Sequence, residues 1–267
     1  MLGKGVECCE LSPFATPEPG PIRHSVWIGN IQELARESSK SMLVRIPSLL
    51  SSDQVAHMRG VLERSDWVDG KLTAGPQAKR AKNNLQVPEG APAARALAET
   101  ISDALAKNER FTSSALAQKM SLPLFNRYDV GMSYNNHIDN ALRSMPGSPV
   151  RIRTDLSATV FLTDPKDYDG GELIIDDTFG AHAVKLAAGD LILYSATSRH
   201  RVAPVTRGSR WSSFFWIQSM IRDDSARTML FELDCTIQAL RAKVGDGEEL
   251  LALTGLYHNL FRRWADA

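Results

Sequence analysis

The sequence predicts an α+β chain whose core is a β-sandwich or jelly roll, with supporting helices before it and a helical segment after it. Three observations predict this. Apolar residues recur at helical spacing in the segments around 51–62 and 92–105. From Leu122 the period changes to two and stays there through about eight short segments. After Met220 the helical spacing returns.

Taken in order, residues 1–41 read as an irregular leader, since Pro13, Pro17, Pro19, Gly20 and Pro21 break regular structure. A short helix over 29–37 is the one element expected there. The functional polypeptide is expected to begin near Met42, which opens a first strand, Met-Leu-Val-Arg-Ile-Pro. Ser51 or Ser52 then caps a helix with Val55, Met58 and Leu62 on one face. Residues 69–90 read as a polar loop. A second helix starts near Pro92, a residue suited to a first turn, with a stripe of Ala94, Leu97, Ala98, Ile101 and Leu105. The expected strands are 122–128, 134–138, 155–162, 172–175, 181–186, 190–194, 201–205 and 210–220. Turn signals separate several of them, among them Asp169-Gly170-Gly171, read as a hairpin turn, and Gly189-Asp190. Residues 140–153 carry Pro146, Gly147 and Pro149 and read as a loop of roughly a dozen residues, long for a compact domain. Its Arg143, Arg151 and Arg153 are suited to attract an anionic substrate or the incoming 2-oxoglutarate, and the loop is expected to be a lid that selects the primary substrate. Leu250, Leu253, Tyr257, Leu260 and Trp264 form the stripe of a last helix. The expected division is therefore leader 1–41, strand and supporting helices 42–118, sheet domain 119–219 and C-terminal helices 220–267.

Composition narrows the function. A hydrophobic share of 43% with a charged share of 23% is ordinary for a water-soluble globular protein. Lys plus Arg number 31 and Asp plus Glu number 31, so there is no general attraction to nucleic acid or anionic membranes. No apolar run approaches the roughly 20 residues that span a bilayer, and no secretory pattern opens the chain. Cys8, Cys9 and Cys235 form neither a disulfide framework nor a metal-type spacing, which fits a reducing cytoplasm.

The chemistry lies in four residues. In an extended strand, positions i and i+2 share a face, so His137 and Asp139 direct an imidazole and a carboxylate to one place. A jelly roll can bring His200 beside them. Two histidines and one carboxylate cover one face of an iron ion and leave positions open for oxygen and a chelating cosubstrate. A closed zinc site would need a fourth ligand, and no cysteine is in reach. Ten residues after His200, Arg210 lies in an apolar strand with Trp211, Phe214, Phe215 and Trp216. A buried guanidinium needs an anion, and its fork suits the distal carboxylate of 2-oxoglutarate. Ser212 shares the Arg210 face and is expected to give a second hydrogen bond. His24, His57, His182 and His258 look incidental.

The order H-x-D, distal His, then Arg ten residues on resembles the iron/2-oxoglutarate dioxygenases. Leu124-Phe-Asn-Arg-Tyr128, Arg153-Thr-Asp-Leu-Ser-Ala-Thr159, Tyr168-Asp-Gly-Gly-Glu-Leu173, Ala188-Gly-Asp-Leu191 and Trp216-Ile-Gln-Ser-Met-Ile-Arg-Asp-Asp224 are similar to the bacterial PKHD-type hydroxylases, relatives of prolyl 4-hydroxylase often associated with iron uptake. The resemblance runs from about Met42 to the C-terminus. It implies a double-stranded β-helix core, Fe(II), 2-oxoglutarate and L-ascorbate, and consumption of O2 with release of succinate and CO2. It also implies that Tyr128 touches the cosubstrate. The substrate it leaves open is a peptidyl side chain or a small molecule. Two other readings share the pattern in part. A nucleic-acid demethylase of the AlkB type expects R-x-N-x-x-x-R, but positions 212 and 216 are Ser and Trp. A non-catalytic jelly-roll sensor of metal alone would not need Arg210. The expected partners are O2 and an unknown organic substrate, with no nucleic acid, no membrane, and self-association through the C-terminal helices.

Overall fold

Two antiparallel sheets pack face to face, and helices cover the outer face of the larger one. The computed structural model describes residues 43–73, 76–145, 149–178 and 180–266. The expectations for the leader, Met42, Cys8, Cys9 and His24 lie outside the described residues.

The large sheet has eight strands in the order Val44–Ile46, Leu191–Ser195, Leu156–Phe161, Arg210–Ser219, Leu124–Tyr128, Leu85–Gln86 and Val68–Asp69, with Ala117–Met120 pairing alongside Arg210–Ser219. The smaller sheet runs Gly180–Val184, Leu173–Asp177, Arg199–Val202, Ser133–His137 and Lys82–Asn83. Side chains of both sheets meet between them: Tyr128, Phe161, Ile192 and Tyr194 from the large sheet, Leu173, Ile175, Val184 and Val202 from the small one. Alternation along Arg210–Ser219 explains how one strand serves two layers. Trp211, Phe215 and Ile217 join the cluster on the outer face, while Arg210, Ser212, Phe214 and Trp216 turn inward to a cleft.

The outer cluster is closed by helices. Ser51 caps the helix Ser52–Glu63 in a reciprocal capping box with Gln54, and Val55, Met58 and Leu62 are buried. Pro92 occupies the first turn of Pro92–Ala106, and all five residues of its stripe are buried. A further helix, Glu109–Ala115, capped by Asn108, was not expected from the sequence. The C-terminal pair Asp224–Val244 and Glu248–Trp264 packs on Leu116 and Ile221. Of the last stripe only Leu250 is fully buried, and the others pack half-exposed.

Three expectations need correction. Residues 69–90 are not a loop: they hold the helix Pro76–Ala81 and two-residue strands that pair with Ser133–His137 and Leu124–Tyr128. The segment 140–153 is not a loop either. Leu142–Ser144 pairs antiparallel with Arg151–Arg153. Asp169-Gly170 is not a hairpin turn but a short strand against Val205–Arg207. Gly170 has φ +68°, and a Cβ there would lie 2.1 Å from the Pro204 carbonyl oxygen. This close approach is what demands glycine.

Gly131 has φ +83° but open space around a Cβ. Gly131→Ala therefore adds only backbone strain, about 1–2 kcal/mol. Gly170→Ala adds that strain and a backbone collision, and is expected to cost clearly more in urea unfolding. Equal losses for the two variants would show that the strand at Gly170 can move aside.

Candidate active site

His137 ends the strand Ser133–His137, and His200 lies in the neighbouring strand directly across from it. That pairing sets the two imidazole centroids 4.2 Å apart. Each ring is fixed by its own strand: His137 Nδ1 lies 2.8 Å from the Asn135 carbonyl oxygen and His200 Nδ1 lies 3.0 Å from that of Ser198. A carbonyl only accepts, so each Nδ1 carries the proton and each Nε2 keeps a lone pair. Burial, then the neighbouring His200, pushes the His137 pKa down to about 4, so the ring is neutral at physiological pH. Tyr134 stacks on His137 at 3.6 Å between centroids.

Asp139 lies beyond the end of the strand rather than within it, so the strand-face argument is not what aims it. The Ser157 hydroxyl does, donating to Asp139 Oδ2 at 2.5 Å from the opposing sheet. Asp139 Oδ2 is 3.8 Å from His200 Nε2. Ligand atoms of His137, Asp139 and His200 all fall within 4.8 Å of one another, the only such histidine, cysteine and carboxylate group among the described residues. Two imidazoles and one carboxylate, with no cysteine in the group, suit iron with open positions.

Arg210 is 1% exposed. Its Nη1 donates to Ser212 Oγ at 2.6 Å, and its Nε has no hydrogen-bond partner among the described residues. The rings of Tyr128 and Phe161 lie 5.4 and 5.2 Å from the guanidinium carbon. Burial raises the Tyr128 pKa to about 12, partly opposed by the Arg210 charge, so its hydroxyl stays a donor. Ser212 faces the same way as Arg210, as expected, but its proton goes to Asn126 Oδ1 at 2.5 Å. The Ser212 hydroxyl thus accepts from Arg210 and donates to Asn126.

All six sequence-selected residues, His137, Asp139, His200, Arg210, Tyr128 and Ser212, line one cleft of about 970 Å³ including its open mouth. Sequence reasoning missed Ser157, Asn126, Tyr134, Tyr194 and Lys82, which line it too, whereas Arg143, also in the lining, was singled out in the sequence. The signal available for Ser157 and Asn126 was a polar residue at an inward position of an otherwise apolar strand. Lys82 is 5% exposed, and burial, then the nearby Arg143 charge, lowers its pKa to about 8. Of the three arginines in the paired strands Leu142–Ser144 and Arg151–Arg153, Arg143 alone lines the cleft. Arg151 is exposed, and Arg153 is held by Asp155 at 2.6 Å. His182 pairs with Asp177 at 2.9 Å, away from the cleft, and His57 and His258 are exposed.

Residues 123–218 match the 2OG-Fe(II) oxygenase superfamily, and residues 224–266 match the PKHD-type hydroxylase C-terminal domain. A PKHD-type hydroxylase of Methylobacterium nodulans is 55% identical over 226 residues, covering 84% of this chain and 100% of that protein. The chain belongs to the PKHD-type hydroxylase family. A second member, from Pseudomonas putida, is 56% identical over 225 residues, covering 84% of this chain and 100% of that one. The solved structure of a prolyl hydroxylase from Trichoplax adhaerens, in complex with a hypoxia inducible factor peptide fragment, shares the fold with a TM-score of 0.50. It is 16% identical and covers 75% of this chain and 91% of that one. Family membership makes the protein an iron(II)- and 2-oxoglutarate-dependent dioxygenase that uses O2 to hydroxylate an organic substrate.

Because Ser157 alone holds the Asp139 oxygen from the opposite sheet, Ser157→Ala is expected to weaken divalent-metal binding about 10–100-fold. A metal titration under nitrogen checks this. Wild-type affinity would show that Asp139 is placed by its own backbone.

Proposed function

We propose that His137, Asp139 and His200 hold the iron, and that Arg210 holds the distal carboxylate of 2-oxoglutarate. One observation carries this reading: a fully buried guanidinium, with Nε left unpartnered, opens into the same cleft as the histidine and aspartate cluster. A buried, unneutralised charge costs several kcal/mol, and a carboxylate bound there removes that cost. Tyr128 offers its protonated hydroxyl beside the same anion. Ser212 and Asn126 fix the guanidinium from the far side.

When bound, iron, 2-oxoglutarate and O2 supply the oxidising chemistry, with succinate and CO2 released. The chain's own work is placement. The backbone carbonyls of Asn135 and Ser198 keep both Nε2 atoms free for metal. Ser157 holds the carboxylate oxygen. Phe161, Leu173, Tyr194 and Val202 pack around the site and exclude water from it.

The same reading takes the two-sheet core as a double-stranded β-helix, with the antiparallel pairing throughout both sheets in support. It keeps 42–118 as strand and supporting helices, 119–219 as the catalytic unit and 220–267 as an appended helical unit. L-Ascorbate is included as the reductant, on family membership. A cytoplasmic location rests on free Cys235 and the scarcity of cysteine. No helix among the described residues is long and apolar enough to cross a membrane. Zero net charge speaks against nucleic acid as a partner. Exposed Leu251 and Leu256 on the last helix support self-association there.

The test is succinate formation by purified variants. His137→Ala, Asp139→Ala and His200→Ala are each expected to abolish it while circular dichroism stays unchanged. Arg210→Lys is expected to raise the apparent KM for 2-oxoglutarate by a factor corresponding to about 2–5 kcal/mol, with metal binding little altered. Wild-type rates in any alanine variant, or an unchanged KM in Arg210→Lys, would contradict these assignments.

A further inference from the structure

His200 reaches its place through a single turn. Leu191–Ser195 belongs to the large sheet and Arg199–Val202 to the small one, so residues 195–198 carry the chain between the sheets. Ser198 N closes the turn by donating to the Ser195 carbonyl oxygen at 3.1 Å. On the large-sheet side, Ser195 pairs with Leu156, the residue before Ser157. On the small-sheet side, the Ser198 carbonyl oxygen meets His200 Nδ1 at 3.0 Å. The turn thus joins the strand that holds Asp139 to the carbonyl that sets the His200 tautomer.

The hydroxyls of this turn are tied to the C-terminal helices. Ser195 Oγ donates to Asp224 Oδ2 at 2.5 Å and lies 2.8 Å from Thr197 Oγ1. A carboxylate only accepts, so Ser195 gives its proton to Asp224 and receives that of Thr197. Asp224 Oδ1 accepts from Arg227 Nη2, and Arg227, 0% exposed, also donates to the Ile221 carbonyl oxygen at 2.6 Å. Both Asp224 oxygens are therefore committed. Neither caps the helix, because Asp223 does so by accepting from Ala226 N at 2.7 Å. Apolar docking of the helices is supplied elsewhere, by Leu116, Ile221, Ala226 and Leu230. The match to the PKHD-type hydroxylase C-terminal domain begins at Asp224. Resting on the metal assignment above, we infer that Asp224 is a positioning residue for His200. Through Ser195 and Thr197 it holds the turn in the shape that presents the Ser198 carbonyl to Nδ1 and leaves Nε2 free for metal. The C-terminal domain thereby completes a metal site that it does not touch. The turn has one competing restraint, the bond from Ala196 N to the Asp155 carbonyl oxygen at 3.0 Å.

The test uses the full chain, first free of metal and then titrated with Fe(II) under nitrogen. Long-range ¹H–¹⁵N correlation reads the histidine ring nitrogens of the metal-free protein, and the His200 signals are those lost in His200→Ala. The wild type is expected to show one His200 tautomer, protonated at Nδ1. Ser195→Ala and Asp224→Ala are each expected to bring in the second tautomer at His200, with His137 unchanged, and to weaken Fe(II) binding about tenfold. The double variant is expected to lose no more than either single one, since both cut the same link. Ser195→Thr restores the hydroxyl and is expected to return both readings close to wild type, which a merely structural role would not require. Ser195→Ala alone decides the matter should Asp224→Ala fail to fold. A single His200 tautomer or wild-type Fe(II) affinity in Ser195→Ala overturns the inference, shows that the backbone bond to Asp155 suffices, and leaves the metal assignment intact. Losses that add in the double variant overturn it as well. Wild-type Fe(II) affinity in His200→Ala removes both.

Discussion

Arg210 puts a permanent positive charge where water scarcely reaches, with 1% of its surface exposed and aromatic rings on two sides. The sheet pays for this position only through its partners. Ser212 accepts from the guanidinium on its own strand and donates in turn to Asn126 on the neighbouring one. The remainder faces the cleft. An anion that binds there removes the cost of the buried charge, so under the proposed assignment the cosubstrate's distal carboxylate would complete the interior as well as bind to it. The two-sheet layout follows from the same need. One sheet supplies the guanidinium and the serine that holds Asp139, the other supplies both histidines, and only their face-to-face packing brings the sets together.

Rigidity is the second consequence. The three candidate ligands are each held by an oxygen or hydroxyl that a strand fixes: the carbonyls of Asn135 and Ser198, and the hydroxyl of Ser157. None depends on a long side chain. Apolar contacts from Leu173, Ile175 and Val202 fill the space behind them. The three side chains are therefore preorganised, and the His137 ring, whose pKa burial and the neighbouring His200 push down to about 4, needs no proton release before a cation binds.

Much of this was legible in the sequence, and the reasons differ by element. Period-two alternation exposed the long strands because each has one face in a core and the other in a cleft or second core. The Arg210 strand shows this best, with Trp211, Phe215 and Ile217 outward and Arg210, Ser212, Phe214 and Trp216 inward. Helical stripes and caps exposed the two supporting helices. What stayed hidden depends on distant pairing. Lys82–Asn83 and Leu85–Gln86 are too short to show a period, and exist because Tyr134, Asn126 and Arg127 offer free edges. The pairing of Leu142–Ser144 with Arg151–Arg153 stayed hidden because Pro146, Gly147 and Pro149 read in the sequence as loop formers. Family resemblance and spacing found the six cleft residues. They could not show that Ser212 gives its proton to Asn126, or that Lys82 and Arg143 line the same cleft, because both facts require the sheets to be assembled.

The account turns on an anion-seeking Arg210 inside a metal cleft, and ligand-dependent thermal stability tests it most directly. Protein loaded with Fe(II) under nitrogen should melt at a higher temperature with 2-oxoglutarate, by an amount equivalent to about 2.7 kcal/mol at a hundredfold excess over Kd. 2-Oxobutyrate keeps the metal-chelating end but lacks the distal carboxylate, and should stabilise far less. Arg210→Met should lose the advantage of the diacid. Equal stabilisation by the two keto acids in the wild type would contradict the account.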